Sequence, residues 1–427
     1  MPQGLLMGAI GDDLTGSVEL AGLLAAGGAR VSLYTDPEAV VSCDGGDAIV
    51  IALRSRVAPT DEARAAFARC ADKLLAAGAR QLFFKYCATF DSLPTGNIGP
   101  CADVLADRLG DAATLFCPAY ADPDVDRTVY RGHMFAGETL LSNSSKRFDP
   151  LTPMTESDLV KVLQAQTARR VGLVPLSAVA GGPETIRRAM QRLQSAGIRY
   201  AIVDTVTEDH LRDIARATWD WPLMTGGASV AAHYPAIWRE QGLLGNDAAQ
   251  PFPGSGAMGA VLSGSCAERT REQIARFAEK HPVRRIDLLD PTPTEALVRD
   301  ALEWAAAHLA TGPVCIATSG DEAAVEAAQQ AFGRKGAARR AETALCGAAQ
   351  GLVKLGVGRL VIAGGETSGA IIDALGVTRL TVAPFTSPGI GLCATASPQP
   401  LSLCLKSGKL GAVDLFATAL EKLGEAA

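Results

Sequence analysis

The chain has 427 residues, 48% hydrophobic and 20% charged. That composition predicts a soluble globular protein of two or three domains and excludes extended disorder. Forty basic against 46 acidic side chains leave a formal charge of −6, which argues against nucleic acid or anionic lipid as a partner, since both reward net positive charge.

The first segment, MPQGLLMGAIGDD, has no basic stretch and reaches acid at Asp12. It reads as a strand rather than a secretory leader, so a cytoplasmic protein is expected. After LLMGAI come Gly11-Asp12-Asp13-Leu14-Thr15-Gly16 and a helical pattern from Ser17. Three times a helical stretch ends in Ala-Gly and Arg before a short apolar run. This happens at Ala26 to Arg30 before VSLYTD, at Ala77 to Arg80 before QLFFKYC, and at Ala196 to Arg199 before YAIVDT. The glycines suit left-handed helix ends. The apolar runs do not alternate, as expected for parallel strands buried on both faces. Helices are predicted over about 61–77, opened by Thr60, and over about 156–168, opened by Thr155 with Asp158 completing a capping box.

The stretch 241–259 is rich in Gly and Pro and has no periodicity, which marks a linker. Beyond it the alternation resumes with AVLSGS, a helix over about 268–279, VCIATSG, a helix after Asp321, LVIAGG and a helix through IIDAL. The longest uncharged stretch, 380–405, is interrupted by Pro384, Pro388, Pro398 and Pro400, so no membrane span is expected. The ten cysteines include no C-x-x-C pair, which predicts scattered thiols in a reducing compartment and no zinc site. The expected architecture is α/β: two domains with mainly parallel sheets flanked by helices, over 1–245 and 258–427, a linker over 246–257, and a ligand cleft between them.

In such sheets ligands bind beyond the carboxyl ends of strands. Asp12 and Asp13 stand at one such end. One can cap the helix, which leaves the other as a general base or an indirect Mg²⁺ ligand. Lys85 ends QLFFK, either snorkelling from an edge or binding an anion, near Asp91, Ser92 and Asn97. Arg54-Ser55-Arg56 add positive charge after AIVIAL, and an arginine grips a carboxylate bidentately. Together these suit a small polyhydroxy acid. His133 falls in a segment with no clear periodicity and is read first as a structural hydrogen-bonding residue.

In the second half, Gly364-Gly365-Glu366-Thr367-Ser368-Gly369 follows RLVIA and opens a helix, the pattern of a phosphate cradle. Ser263-Gly264-Ser265, Thr318-Ser319-Gly320 and Lys406-Ser407-Gly408-Lys409 also follow apolar runs, and a lysine in the last could neutralise phosphate. No Walker-type loop occurs. Gly389 to Ala394 matches G-x-G-x-x-A, but its proline-rich flanks exclude a strand–turn–helix.

GDDLTG, KYCATFDSLPTGNIGP, RTVYRGHMFAG, LTPMT, LSGSCAERTREQ, GGETSGAIIDALG and LKSGKLG stand in the order found in the four-carbon acid sugar kinase family, and the chain resembles that family from Gly11 to Gly411. The form FDSLPTGNIGP is most similar to the 3-oxo-tetronate kinase branch. The resemblance implies ATP- and Mg²⁺-dependent phosphorylation of the terminal hydroxyl, with Mg²⁺ carried by ATP. It implies an N-terminal acid-sugar domain and a C-terminal nucleotide domain. Ser263, Gly364, Gly365, Glu366, Thr367 and Gly408 would contact ATP. Asp12, Asp13, Arg54, Lys85, Asp91, Ser92 and Asn97 would meet the substrate. Ala88, Leu93 and Lys409-Leu410 depart from the branch's usual residues. Asp13 is the first choice for the base that takes the C4 hydroxyl proton, and Asp91 the second. Partners would be the sugar acid and ATP, with room for a homodimer. Alternatives are a D-erythronate or L-threonate kinase, a nicotinamide-dependent oxidoreductase, and a non-catalytic sugar-acid sensor.

Overall fold

A computed structural model describes residues 4–40, 46–91, 93–123, 125–149, 152–245, 252, 255, 257–384 and 387–425. The chain divides into two compact units, Met1–Ala249 and Gln250–Ala427. Of the linker stretch 246–257, only Phe252, Ser255 and Ala257 are among the described residues.

The first unit runs β1 (Met7–Gly11), α1 (Leu14–Ala26), β2 (Val31–Tyr34), β3 (Ala48–Ala52), α2 (Thr60–Ala76), β4 (Gln81–Lys85), α3 (Ile98–Arg108) and β5 (Thr114–Cys117). It continues with β6 (Arg127–Tyr130), β7 (His133–Ala136), β8 (Thr139–Leu140), α4 (Leu159–Gln164), β9 (Val171–Val174), α5 (Leu176–Val179) and α6 (Pro183–Ser195). It closes with β10 (Tyr200–Val203), α7 (Glu208–Thr218), β11 (Leu223–Gly226), α8 (Ala228–Ala231) and α9 (Tyr234–Glu240). The main strands lie in the order β2-β3-β1-β4-β11-β5-β10-β9, all parallel. The runs MGAIG, AIVIA and QLFFK are buried along their whole length, as a sheet covered on both faces requires. Gly28, Gly78 and Gly197 take positive φ at the helix ends where the sequence places them.

Two expectations change in this unit. The helix predicted over 156–168 is shorter, because Asp158 is itself the cap, accepting from the amides of Val160 (3.1 Å) and Lys161 (3.3 Å). The residues before it are held extended against β7: Met134 N–H donates to Ser157 O and His133 bridges Asp158. His133 lies in β7, part of a small antiparallel sheet β6-β7-β8, with Nδ1 2.9 Å from Arg131 O.

The second unit runs β12 (Met258–Ser263), α10 (Glu268–Ala278), β13 (Val283–Arg285), α11 (Thr294–Leu309), β14 (Val314–Ala317), α12 (Glu322–Lys354, kinked at Gly333), β15 (Val357–Ala363) and α13 (Gly365–Ala374). Then come β16 (Arg379–Val382), β17 (Ile390–Thr395), β18 (Leu401–Lys406) and α14 (Leu415–Lys422). The order is β13-β14-β12-β15-β18-β17-β16. It is parallel except at β17, which is antiparallel to both neighbours. The G-x-G-x-x-A stretch at 389–394 forms β17 rather than a turn into a helix. Val261, Phe277, Cys315, Val361, Cys404 and Phe416 belong to one buried core. Among the described residues no helix is long and apolar enough to cross a membrane.

Candidate functional sites at the strand ends

Register decides which loops meet. Gly11 is level with both Ala52 and Lys85, so β1, β3 and β4 end together. The connection leaving β1 runs toward β2 on one side of the sheet and that leaving β4 toward β5 on the other, a switch that opens a crevice. Backbone bonds tie the three loops: Asp12 N–H donates to Lys85 O (3.1 Å), and the amides of Ser55 and Arg56 donate to Asp12 O (3.0 and 3.3 Å).

The two aspartates divide their work. Asp13 caps α1, accepting from Gly16 N–H at 3.0 Å. Its Oδ1 also faces Arg56 Nη2 at 3.2 Å and Lys85 Nζ at 3.7 Å. Asp12 is buried and takes Arg56 as a two-point clamp, Nε to Oδ2 and Nη2 to Oδ1, both 2.9 Å. Burial pushes the Asp12 carboxyl up, and Arg56 only partly offsets it. Burial acts in the same direction on Asp13, but the charges of Arg56 and Lys85 outweigh it and hold that carboxyl below its ordinary value. Burial works against the charge of Lys85, yet Asp13, Glu19 and Asp12 leave it raised. The side chain of Asp13 is 19% exposed against 6% for Asp12, so Asp13 presents the carboxylate to the crevice. Gly16 is there for room: a Cβ on it would lie 1.7 Å from Lys85 Nζ.

Arg54, expected to bind the substrate, is exposed at this edge, and Arg56 makes the bidentate contact instead. Asn97 spends its amide on the carbonyls of Ser55 (2.8 Å) and Ala58 (2.9 Å), stapling the loop after β3. Its Oδ1 is buried without a hydrogen-bond partner among the described residues, as are Ser55 Oγ and Thr15 Oγ1. A buried polar atom left unpaired costs about 1–3 kcal/mol. Several in adjoining loops fit a ligand rich in hydroxyls. Ser92 lies outside the described residues. Asp91 follows Phe90, whose φ of 52° is unusual for a non-glycine residue. The carboxylate of Asp91 accepts from Thr89 Oγ1 and faces Lys146 Nζ at 3.1 Å, and Thr89 Oγ1 also lies 3.0 Å from Cys87 Sγ. Lys146 also meets Asp149 at 3.1 Å. Burial opposes the ammonium of Lys146, but Asp91, Cys87 and Asp149 together leave it raised. Asp91 is less open to the crevice than Asp13, its side chain 8% exposed against 19%. Arg56, read with Arg54 as positive charge at this strand end, makes the contact, and Lys146 carries site charge that the sequence reading did not single out.

In the second unit Ser263 is level with Ala317 and with Ala363, and Ala363 with Lys406. Four glycine- and serine-bearing loops therefore leave one sheet edge. The connection leaving β12 runs toward β13, and that leaving β15 runs toward β16 on the other side. A Cβ on Gly264 would stand 2.3 Å from Thr367 Oγ1. One on Gly364 would stand 3.0 Å from the same atom, and one on Gly408 would stand 2.3 Å from Ser265 Oγ. The loops thus pack with no space for side chains. Gly365, Glu366 and Thr367 form the first turn of α13, whose N–H groups have no partner within the helix. Glu366 is exposed there, so its amide, not its carboxylate, suits an anion. Thr318 Oγ1 is buried and unpartnered in the neighbouring loop. A glycine cradle at a helix start fits a phosphate chain.

Two expected members are placed differently. Ser263 is fully buried with its hydroxyl on Ser319 Oγ at 2.8 Å, so Ser265 is the hydroxyl in the cradle. Lys406 does not turn toward the loops. Its Nζ is buried on Gln273 Oε1 (2.6 Å), Thr270 Oγ1 (2.9 Å) and Gly408 O (3.3 Å). Burial lowers it to about 8. Between that value and the ordinary lysine value the unfolded chain binds a proton that the folded chain does not, so folding stability rises with pH across this window. At about 1.4 kcal/mol per pH unit, wild type should gain about 2 kcal/mol over Lys406→Met between about pH 7.5 and about pH 9.5. Urea unfolding of both proteins at the two pH values measures this, and a constant difference would contradict it.

The fold and its two strand-end clusters define an α/β protein with a charged polar cluster in one unit and glycine-rich loops at a helix start in the other. Family models match each: a sugar-binding N-terminal domain over residues 7–234 and a nucleotide-binding C-terminal domain over residues 260–416. A Burkholderia multivorans protein named 3-oxo-tetronate kinase is 42% identical over 99% of this chain and 98% of its own length. One of the same name from Cupriavidus necator is 41% identical over 98% and 97%. Among crystal structures, a Salmonella typhimurium LT2 protein provisionally called a tRNA synthase superposes with a TM-score of 0.86 at 33% identity, over 98% of this chain and 100% of that one. Haemophilus influenzae protein HI1011 gives 0.77 at 32%, with the same coverage. The chain belongs to the four-carbon acid sugar kinase family.

Proposed function

We propose that this chain is a cytoplasmic ATP-dependent kinase that phosphorylates the C4 hydroxyl of 3-oxo-tetronate. The observation that carries the reading is likeness over nearly the whole chain to several proteins of that name, at identities up to 42%. The two strand-end sites support it, because a phosphotransferase acting on a sugar acid needs both a polar charged pocket and a phosphate cradle. Phosphoryl transfer draws most of its acceleration from positioning and charge neutralisation. Asp13, fixed as the α1 cap, is placed to accept the proton of the attacking hydroxyl. Arg56 and Lys85 keep it ionised. The amides of Gly365, Glu366 and Thr367, with the glycines at 264, 364 and 408, hold the phosphates. Mg²⁺ carried by the nucleotide would offset phosphate charge. Among the described residues no group of three His, Cys, Asp or Glu side chains is placed as a resident metal site.

The test is an ATP-consumption assay across 3-oxo-tetronate, D-erythronate and L-threonate, with the phosphate position read by phosphorus NMR. Turnover is expected with 3-oxo-tetronate and phosphate at C4. Turnover restricted to D-erythronate or L-threonate would move the chain to another branch. Reduction of a nicotinamide cofactor without ATP consumption would overturn the kinase reading.

A further inference from the structure

The cations around the first site are not alike. Arg56 is clamped to Asp12, Lys85 faces Asp13, and Lys146 sits between Asp91 and Asp149. Arg127, at the start of β6, makes no ion pair among the described residues. Its backbone is fixed by a reciprocal pair of bonds with Tyr120, both 2.8 Å. Its Nη1 folds back onto two carbonyls of its own turn, Val125 O at 2.5 Å and Asp126 O at 3.0 Å. That leaves Nε and Nη2, the edge with which a guanidinium grips a carboxylate side-on. Nε is buried and has no hydrogen-bond partner among the described residues. Burial depresses the arginine, and the groups acting against that are Cys87, Asp126 and Asp91. Arg127 therefore lies in the field of the loop after β4. A half-buried guanidinium whose buried Nε is unpaired, with no ion pair among the described residues, is costly unless an anion completes it.

We infer that the Nε–Nη2 edge of Arg127 binds the carboxylate of the acid substrate. This rests on the sugar-acid reading above and assigns the carboxylate to a residue other than Arg54 or Lys85. Lys85 is already engaged by Asp13, and Arg54 stands exposed. Arg127 comes from the small antiparallel sheet, so that appendage gains a role: it supplies the group that selects an acid over a neutral sugar.

The experiment measures binding of the four-carbon acid and of its neutral amide by calorimetry in wild type, Arg127→Gln and Arg127→Lys, together with steady-state kinetics. The acid should bind wild type far better than the amide. In Arg127→Gln that preference should collapse, with KM for the acid up about 30-fold, kcat within about 3-fold and KM for ATP unchanged. Arg127→Lys should keep part of the preference, since it retains the charge but not the fork. The ratio of acid to amide affinity is read on folded protein, so a partial loss of stability does not mimic the result. An acid preference intact in Arg127→Gln overturns the inference. A wild type that binds and phosphorylates no four-carbon acid overturns the reading beneath it, and the two failures are separate observations.

Discussion

Replacing Asp13 with Asn is expected to lower kcat by about 10²-fold or more at saturating acid and ATP, the usual size of a lost general base. The substitution is a clean one for local structure. Asn caps a helix as well as Asp does, so the bond from Gly16 N–H and the start of α1 survive. The proton acceptor is lost. Arg56 keeps its two-point clamp on Asp12, so the arginine is not left without a counter-charge. Lys85 loses its nearest carboxylate, and some stability goes with it. For that reason kcat is to be compared at a temperature where both proteins are folded, and acid binding should remain measurable. The pH profile gives a second reading. Arg56 and Lys85 hold Asp13 below its ordinary value despite burial, so the group is deprotonated down to the acid end of the carboxylate range. Asp13 should therefore contribute no acid limb to wild-type kcat above the ordinary aspartate range. A variant with unchanged kcat would remove Asp13 from the chemistry and pass the role to Asp91, whose own Asn variant should then show the drop.

Much of this was legible in the sequence because it is local. A glycine–aspartate turn after an apolar run can be read as a strand end, and GGETSG before IIDAL as a helix start that favours anions. The unread part is long-range. Arg56 lies 44 positions from the aspartate it clamps, and Lys146 lies 55 from Asp91. Nothing in their neighbourhoods predicts those meetings; they follow from strand register. Asp158 shows a competition between local rules. The capping-box pattern was present, but pairing of residues 157 and 158 with β7 held the backbone extended and moved the helix start. Lys406 shows the limit of reading charge at a strand end. A lysine there can face outward to an anion or inward to neutral acceptors. The side taken depends on Thr270 and Gln273 in α10, more than 130 positions away.

Gly364→Ala is expected to raise KM for ATP by about 10²-fold or more while leaving acid binding to the first unit unchanged. Gly364 has φ of 122°, a region that residues with a Cβ avoid at a cost on the order of 1–3 kcal/mol. The new methyl would also stand 3.0 Å from Thr367 Oγ1 and 3.4 Å from the Ser265 amide. The backbone has little freedom to yield. Gly364 N–H donates to Lys406 O at 2.9 Å, and its carbonyl accepts from Ser368 N–H (2.9 Å) and Ser368 Oγ (2.8 Å). Relief would pull apart the level ends of β15 and β18 and tilt the first turn of α13, the amides on which the phosphates would rest. Gly408→Ala supplies the contrast. Its Cβ would meet Ser265 Oγ at 2.3 Å, but a hydroxyl can rotate away, and Gly408 does not take positive φ. That variant should cost about tenfold in KM for ATP, a single rotamer adjustment rather than a backbone one. Calorimetric titration of ATP into the two variants and wild type checks the order. Equal affinity in all three would place the nucleotide phosphates away from these loops, whereas a larger loss in Gly408→Ala than in Gly364→Ala would put the tightest contact at Ser265 instead of at the start of α13.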